Sequence, residues 1–333
     1  MRWFARIYAI GRVAGRRAFA ALLIGVVTVA ALAIAVRSES DGPSRAASRA
    51  GGARNPEAAV SAAARPLPAA PTARAGRAAR TAVDPAGEAS CDPSTVDRFR
   101  AGDTTESTME RIRESPRRFC WSLRPVLAES DDLLRLVDRD HGLEPGYEPT
   151  DLVSLAEAHP EIPLRTGNER LTARAAEALA DMVLAAERDG IELMVSSAYR
   201  DYETQRQLHE YWIERLGRTM AEALSAPAGH SQHQLGTTVD FAPVGRRFGE
   251  TPQAEWLEQH AWRYGFSLSY PEGYETMTGY NYEPWHYRYV GFAAAYLERE
   301  FFSSVQHKML TFLHENSRDR RSVAFRFHRG GPR

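Results

Sequence analysis

The chain has 333 residues, of which 43% are hydrophobic and 26% charged, with a net charge of −1, 24 Gly, 19 Pro and 2 Cys. Those values exclude a collagen-like, a wholly disordered and a disulfide-framework protein, and the length admits about two domains. Charge is unevenly spread: residues 1–90 hold 13 Arg against 5 acidic side chains, or +8, which leaves −9 for the remainder and argues against a nucleic-acid protein with a basic functional domain.

Residues 1–17 form a basic N-terminus with Arg2, Arg6, Arg12, Arg16 and Arg17, and the next 19 residues, 18–36, contain neither a charge nor a proline. As a helix that run is about 28 Å long, close to the ~30 Å hydrocarbon core of a bilayer. It reads as a transmembrane signal-anchor, with the arginines in the cytoplasm and the rest of the chain in the periplasm or extracytoplasmic space. The other reading is a signal peptide cleaved near Ala33-Ile34-Ala35, which would release a secreted protein, although its apolar region is ordinarily about 7–15 residues. Residues 37–90 are mostly Ala, Pro, Gly, Ser and Arg, with no aromatic residue between Phe19 and Phe99. Such a segment buries too little apolar surface to offset its ordering entropy, so it reads as a disordered linker with a mean reach of about 40 Å.

Cys91 and Cys120 begin the folded part. Outside the cytoplasm a disulfide between them is expected, with a pair of buried thiols as the alternative and no catalytic role for either. Residues 91–130 read as a helical N-terminal extension without a chemical motif. Helices are expected over 171–188, where Gly190 supplies the stop, and over 203–216, 253–264 and 292–301. Strands are expected over 191–197, 237–242, 266–270 and 285–290. The result is an α+β domain over 131–303, a small and mostly antiparallel sheet flanked by helices, followed by a frayed basic tail over 304–333.

Two segments carry chemistry. His233 and Asp240 bracket a glycine in Ser231-Gln232-His233-Gln234-Leu235-Gly236-Thr237-Thr238-Val239-Asp240, and a carboxylate in an otherwise apolar strand needs a partner or a metal. Farther on, Glu283-Pro284-Trp285-His286 places an acid three residues before a histidine. Two imidazoles and one carboxylate suit a zinc site with a position open for water, and Glu283 suits the proton-transferring base beside it. His230 could replace His233 as a ligand, and the same donor set describes a non-heme iron centre, though that type places its first His and acid closer together. No H-E-x-x-H helix is present. In a regular strand Glu283 and His286 would face opposite ways, so the strand is expected to begin near Trp285 with Glu283 on the loop before it.

The stretch from Ser196-Ser197-Ala198-Tyr199-Arg200-Asp201 to Gln205, the block from Ser231 to Asp240, and Ser269-Tyr270-Pro271-Glu272-Gly273 through Glu283-Pro284-Trp285-His286 resemble the VanY-type zinc D-alanyl-D-alanine carboxypeptidases over about residues 131–300. The resemblance implies Zn2+ on His233, Asp240 and His286, Glu283 as catalytic base and acid, and Arg200, Gln205 and Ser231 as the groups that hold the terminal residue of the substrate. A guanidinium fork pairs a carboxylate through two bonds, which independently suits Arg200 to a free C-terminus. The chain has Thr238 where the family often has Ala, and Gln232 where Glu is frequent. The implied function is removal of D-alanine from peptidoglycan stem peptides. A peptidoglycan endopeptidase of the same superfamily and a non-catalytic wall-binding module are the alternatives. The cytoplasmic membrane is the expected partner of the N-terminal helix, with no nucleic acid and no protein partner.

Overall fold

The computed structural model describes residue 99, residues 106–130 and residues 132–316. The expected anchor, linker, Cys91 and the last part of the tail lie outside those residues. Among the described residues no helix is long and apolar enough to cross a membrane.

Two helices, α1 (Glu106–Glu114) and α2 (Pro116–Val126), open the described part. A two-stranded antiparallel ribbon follows, β1 (Leu152–Ser154) with β2 (Arg170–Thr172), and leads directly into α3 (Ala173–Arg188). Next come β3 (Val195–Ser197), α4 (Tyr202–Leu216), α5 (Arg218–Leu224) and β4 (Thr238–Phe241). The chain closes with α6 (Pro252–His260), β5 (Phe266–Leu268), β6 (His286–Tyr289), α7 (Phe292–Phe301) and α8 (Gln306–Glu315). The four-stranded sheet has the order β3-β4-β6-β5, and every neighbouring pair is antiparallel. The α+β reading therefore holds.

Local chemistry sets the element ends. Asp201 caps α4 by accepting a 2.7 Å hydrogen bond from the Thr204 backbone N–H. Thr251 does the same for α6 from Ala254, ahead of Pro252, whose missing N–H costs nothing at a helix start. The helix expected over 253–264 stops at His260 and tightens into a 3₁₀ turn, Ala261–Tyr264, which Gly265 ends at φ 81°.

Side-chain alternation explains how an acid sits in a buried strand. Val239, Phe241, Tyr287 and Tyr289 share one face and join the main apolar cluster with Leu179, Met182 and Val183 of α3 and Leu257 of α6. Thr238, Asp240, His286 and Arg288 share the opposite face, and both strands are buried throughout. The polar face is thus covered by protein as well, and its groups must find partners there.

The expected frayed tail is wrong over Gln306–Glu315, which forms α8. Met309, Leu310, Phe312 and Leu313 are buried at helical spacing. The Phe312 ring lies 5.3 Å from Phe99, 5.9 Å from Phe119 and 5.4 Å from Phe302, so α2, α7 and α8 share one aromatic cluster.

Candidate metal and substrate site

His233 sits in a 3₁₀ turn, Gln232–Leu235, between β3 and β4. Ser231 precedes the turn, and its Oγ accepts a 3.4 Å hydrogen bond from the His233 N–H. Gly236 reverses the chain from that turn into β4 at φ 66°, where a Cβ would stand 2.8 Å from Leu152. Glycine is the residue that fits both requirements. Thr238 Oγ1 donates to the Gln232 carbonyl and braces the turn from the strand side. His233 Nδ1 donates to the Ala198 carbonyl at 2.6 Å, which leaves its Nε2 lone pair facing Asp240 Oδ2 at 3.2 Å.

Asp240 and His286 are register partners on β4 and β6. Asp240 Oδ1 lies 3.1 Å from His286 Nδ1, and the two imidazole rings are 5.0 Å apart and nearly perpendicular. One ligand atom from each of His233, Asp240 and His286 falls within a 4.8 Å cluster. Asp240 Oδ1 is buried and has no hydrogen-bond partner, an orphaned acceptor that a cation would satisfy. Burial, reinforced by Arg200, brings the His233 imidazole down to a pKa of about 4, so it is neutral near pH 7 with its lone pair available. Burial opposes the charge on Asp240, but the two imidazoles hold its carboxyl far below the usual carboxylate range. Two imidazole nitrogens and one anionic oxygen converging in a buried site fit a divalent metal.

Glu283 lies on the loop before β6, as its spacing from His286 requires. The His286 N–H donates to the Glu283 carbonyl at 3.0 Å, closing a turn through Pro284 and Trp285. That turn brings Glu283 Oε2 within 3.4 Å of His286 Nδ1. Burial, reinforced by the Asp240 charge and only partly offset by Arg200, raises the Glu283 carboxyl well above its ordinary pKa. Arg200 follows β3 by three residues; its backbone N–H donates to the His233 carbonyl and its Nη1 to Ser197 Oγ. Its buried Nε has no hydrogen-bond partner, and among the described residues no carboxylate forms an ion pair with its fork. Burial disfavours the guanidinium charge, while Asp240 and Glu283 support it.

Gln205 is buried on α4, where its Nε2 donates to the Ala226 carbonyl at 2.6 Å and to Ser225 Oγ at 3.3 Å. Its Oε1 is left without a partner. Gln205 is thus held by Ser225 and Ala226, while the contacts bring His233, Asp240, His286 and Glu283 together and place Arg200 and Ser231 against His233. His230 does not join them, because its Nδ1 donates to the Asp138 carbonyl at 2.7 Å and its ring packs on Gly142. Sequence reasoning missed Tyr270 and Tyr280: the Tyr270 ring lies 4.8 Å from His286 and 4.9 Å from Tyr280, whose buried hydroxyl has no partner. Both fall within the third block of the family resemblance, which was the signal that could have found them. Cys120 is buried, and its pairing with Cys91 lies outside the described residues.

The family model described as "VanY: D-alanyl-D-alanine carboxypeptidase" matches residues 168–292, a span that contains all seven residues. The putative carboxypeptidase YodJ of Bacillus subtilis is 34% identical over 176 residues, covering 51% of this chain and 64% of its own length. A D-alanyl-D-alanine carboxypeptidase of Enterococcus faecium is 30% identical over 172 residues, covering 50% and 54%. This chain thus spans about half to two thirds of those relatives. Among solved structures, the LD-carboxypeptidase LdcB is 33% identical with a TM-score of 0.47, covering 52% of this chain and 86% of that one. A zinc-bound D,D-pentapeptidase VanY from a VanB-type resistance cassette is 30% identical with a TM-score of 0.42, covering 51% and 98%. The bifunctional D-Ala-D-Ala dipeptidase and carboxypeptidase VanXYC of Enterococcus gallinarum is matched along 83% of its length and 47% of this chain, at 30% identity over 166 residues. Likeness on that scale, over the stretch that builds the site, makes this chain a member of the VanY family of D-alanyl-D-alanine carboxypeptidases.

Proposed function

We propose that the protein is a zinc carboxypeptidase that removes the C-terminal D-alanine from peptidoglycan stem peptides. The observation that carries this reading is the buried convergence of His233, Asp240 and His286 with the Glu283 carboxyl 3.4 Å from the last of them. Asp240 turns one carboxylate oxygen to each imidazole, Oδ2 to His233 Nε2 at 3.2 Å and Oδ1 to His286 Nδ1 at 3.1 Å, and one ligand atom from each of the three residues falls within 4.8 Å of the others, a spacing a single zinc ion can draw together. The chemistry that zinc supplies when bound is polarisation of the scissile carbonyl and acidification of water.

The chain's own groups supply the rest. The Glu283 carboxylate takes a proton from the attacking water and delivers it to the leaving amine nitrogen. The Arg200 fork binds the substrate's terminal carboxylate and thereby selects free C-termini. The unpaired Gln205 Oε1 accepts a hydrogen bond from the terminal residue, and Ser231 supports both that residue and the His233 turn. Tyr270, packed on Tyr280, lies against the His286 ring, a buried wall beside which electrostatic contacts strengthen. Residues 18–36 anchor this unit to the cytoplasmic membrane, and residues 37–90 carry it outward to the wall.

Digesting purified sacculi with the full chain tests the reading. Muropeptides should lose the mass of one C-terminal alanine, and a zinc chelator should stop the loss. Unchanged muropeptide masses with zinc bound would contradict it.

A further inference from the structure

One buried chain of amides connects β5 and α8 to the metal-ligand candidate His286. The Ser267 backbone carbonyl can only accept, so the Gln306 end that faces it at 3.3 Å is the NH₂ group. Gln306 Oε1 therefore points the other way and receives the Gln232 Nε2 donor at 3.2 Å. With its NH₂ group committed there, Gln232 turns its carbonyl oxygen toward His286 Nε2 at 3.3 Å. Ser269 Oγ donates to the same Gln232 oxygen at 2.7 Å and also lies 3.4 Å from Gln306 Oε1. Gln232, Ser269, Gln306 and His286 are all buried, so water does not substitute for any link.

An oxygen that can only accept leaves His286 Nε2 as the protonated nitrogen. The Nδ1 lone pair is then free on the side of Asp240 and Glu283. From this we infer that Gln232 and, through it, Gln306 of α8 are positioning residues: they fix the tautomer and ring orientation in which His286 offers Nδ1 to the metal. The inference rests on the metal reading given above, and it assigns a task to α8.

Zinc affinity of the full chain, measured by chelator competition, tests this together with the visible spectrum of the cobalt-substituted protein. Gln232→Met removes the acceptor and should weaken zinc binding about 10–100-fold while altering the cobalt bands. Gln306→Met frees the Gln232 amide to turn and should weaken it less, by several-fold. Gln232→Glu keeps an acceptor for Nε2–H and should restore affinity to within a few-fold of wild type. A mere packing role predicts the opposite order, because a buried carboxylate is the harsher change for packing. Equal affinity and spectra in wild type and Gln232→Met, with wild type binding zinc and both folded by thermal melt, overturn the inference alone. A wild-type chain that binds no zinc overturns the metal reading along with it.

Discussion

Asp240 and His286 face each other across β4 and β6 as register partners, with Asp240 Oδ1 3.1 Å from His286 Nδ1. Because the pair belongs to one antiparallel ladder, the separation of two candidate ligands is set by strand geometry rather than by loop conformation. Asp240→Asn keeps the shape of the side chain but removes the anionic ligand. It should weaken zinc binding by more than the about 10–100-fold typical of losing an outer partner, as read by chelator competition.

Glu283 is held beside the site by a turn and is not needed to complete the ligand set. Glu283→Gln should leave zinc affinity within a few-fold of wild type while lowering kcat by about 10²–10⁴. Steady-state kinetics together with metal analysis on the same sample check both halves.

The Arg200 fork is poised without a carboxylate partner among the described residues, so its replacement should be felt through substrate. Arg200→Met should reduce kcat/KM on free-carboxylate peptides by about 10–100-fold, the worth of a charged hydrogen bond. The preference over C-terminally amidated peptides should vanish with it. Parallel assays on the acid and the amide measure that ratio.

Glu298 on α7 accepts from Ser267 Oγ at 2.9 Å, and its other oxygen is buried without a partner. Burial raises its pKa to about 8 from an ordinary 4.5, with the Ser267 bond pulling the other way. The folded state then keeps a proton that the unfolded chain releases, so stability is fullest below about pH 4.5 and falls as pH rises toward 8, by up to about 1.4 kcal/mol per pH unit. Glu298→Gln should remove this slope, raising the melting temperature at pH 8 relative to wild type and leaving it nearly unchanged at pH 4.5. Thermal melts across that range read it directly.

Phe312 connects α8 to Phe99, Phe119 and Phe302. Phe312→Ala should cost about 3–5 kcal/mol, visible as a lower denaturant midpoint.

Local patterns made much of the site readable before any coordinates. The eight residues from His233 to Asp240 contain a single glycine reversal, and the Glu283 to His286 spacing demanded a turn that the His286-to-Glu283 backbone bond supplies. Alternation along β4 and β6 predicts one polar face, which is where Asp240 and His286 lie. What escaped depends on contacts distant in the chain. The Ala198 carbonyl reaches His233 across 35 residues and Gln306 reaches Gln232 across 74, and no short motif encodes either. The segment from Gln306 reads as a tail in sequence because it is basic and ends in Gly-Gly-Pro-Arg. Its burial against Phe99 and Phe119 decides the matter, not its propensity.

The central claim is most directly tested by incubating the zinc-loaded full chain with a synthetic stem peptide ending in D-alanine, as free acid and as amide, and quantifying released D-alanine by mass spectrometry. The account predicts one alanine released per molecule of acid, far slower release from the amide, and loss of both on chelation with recovery on adding zinc. Equal cleavage of acid and amide, or release that persists without metal, would contradict it.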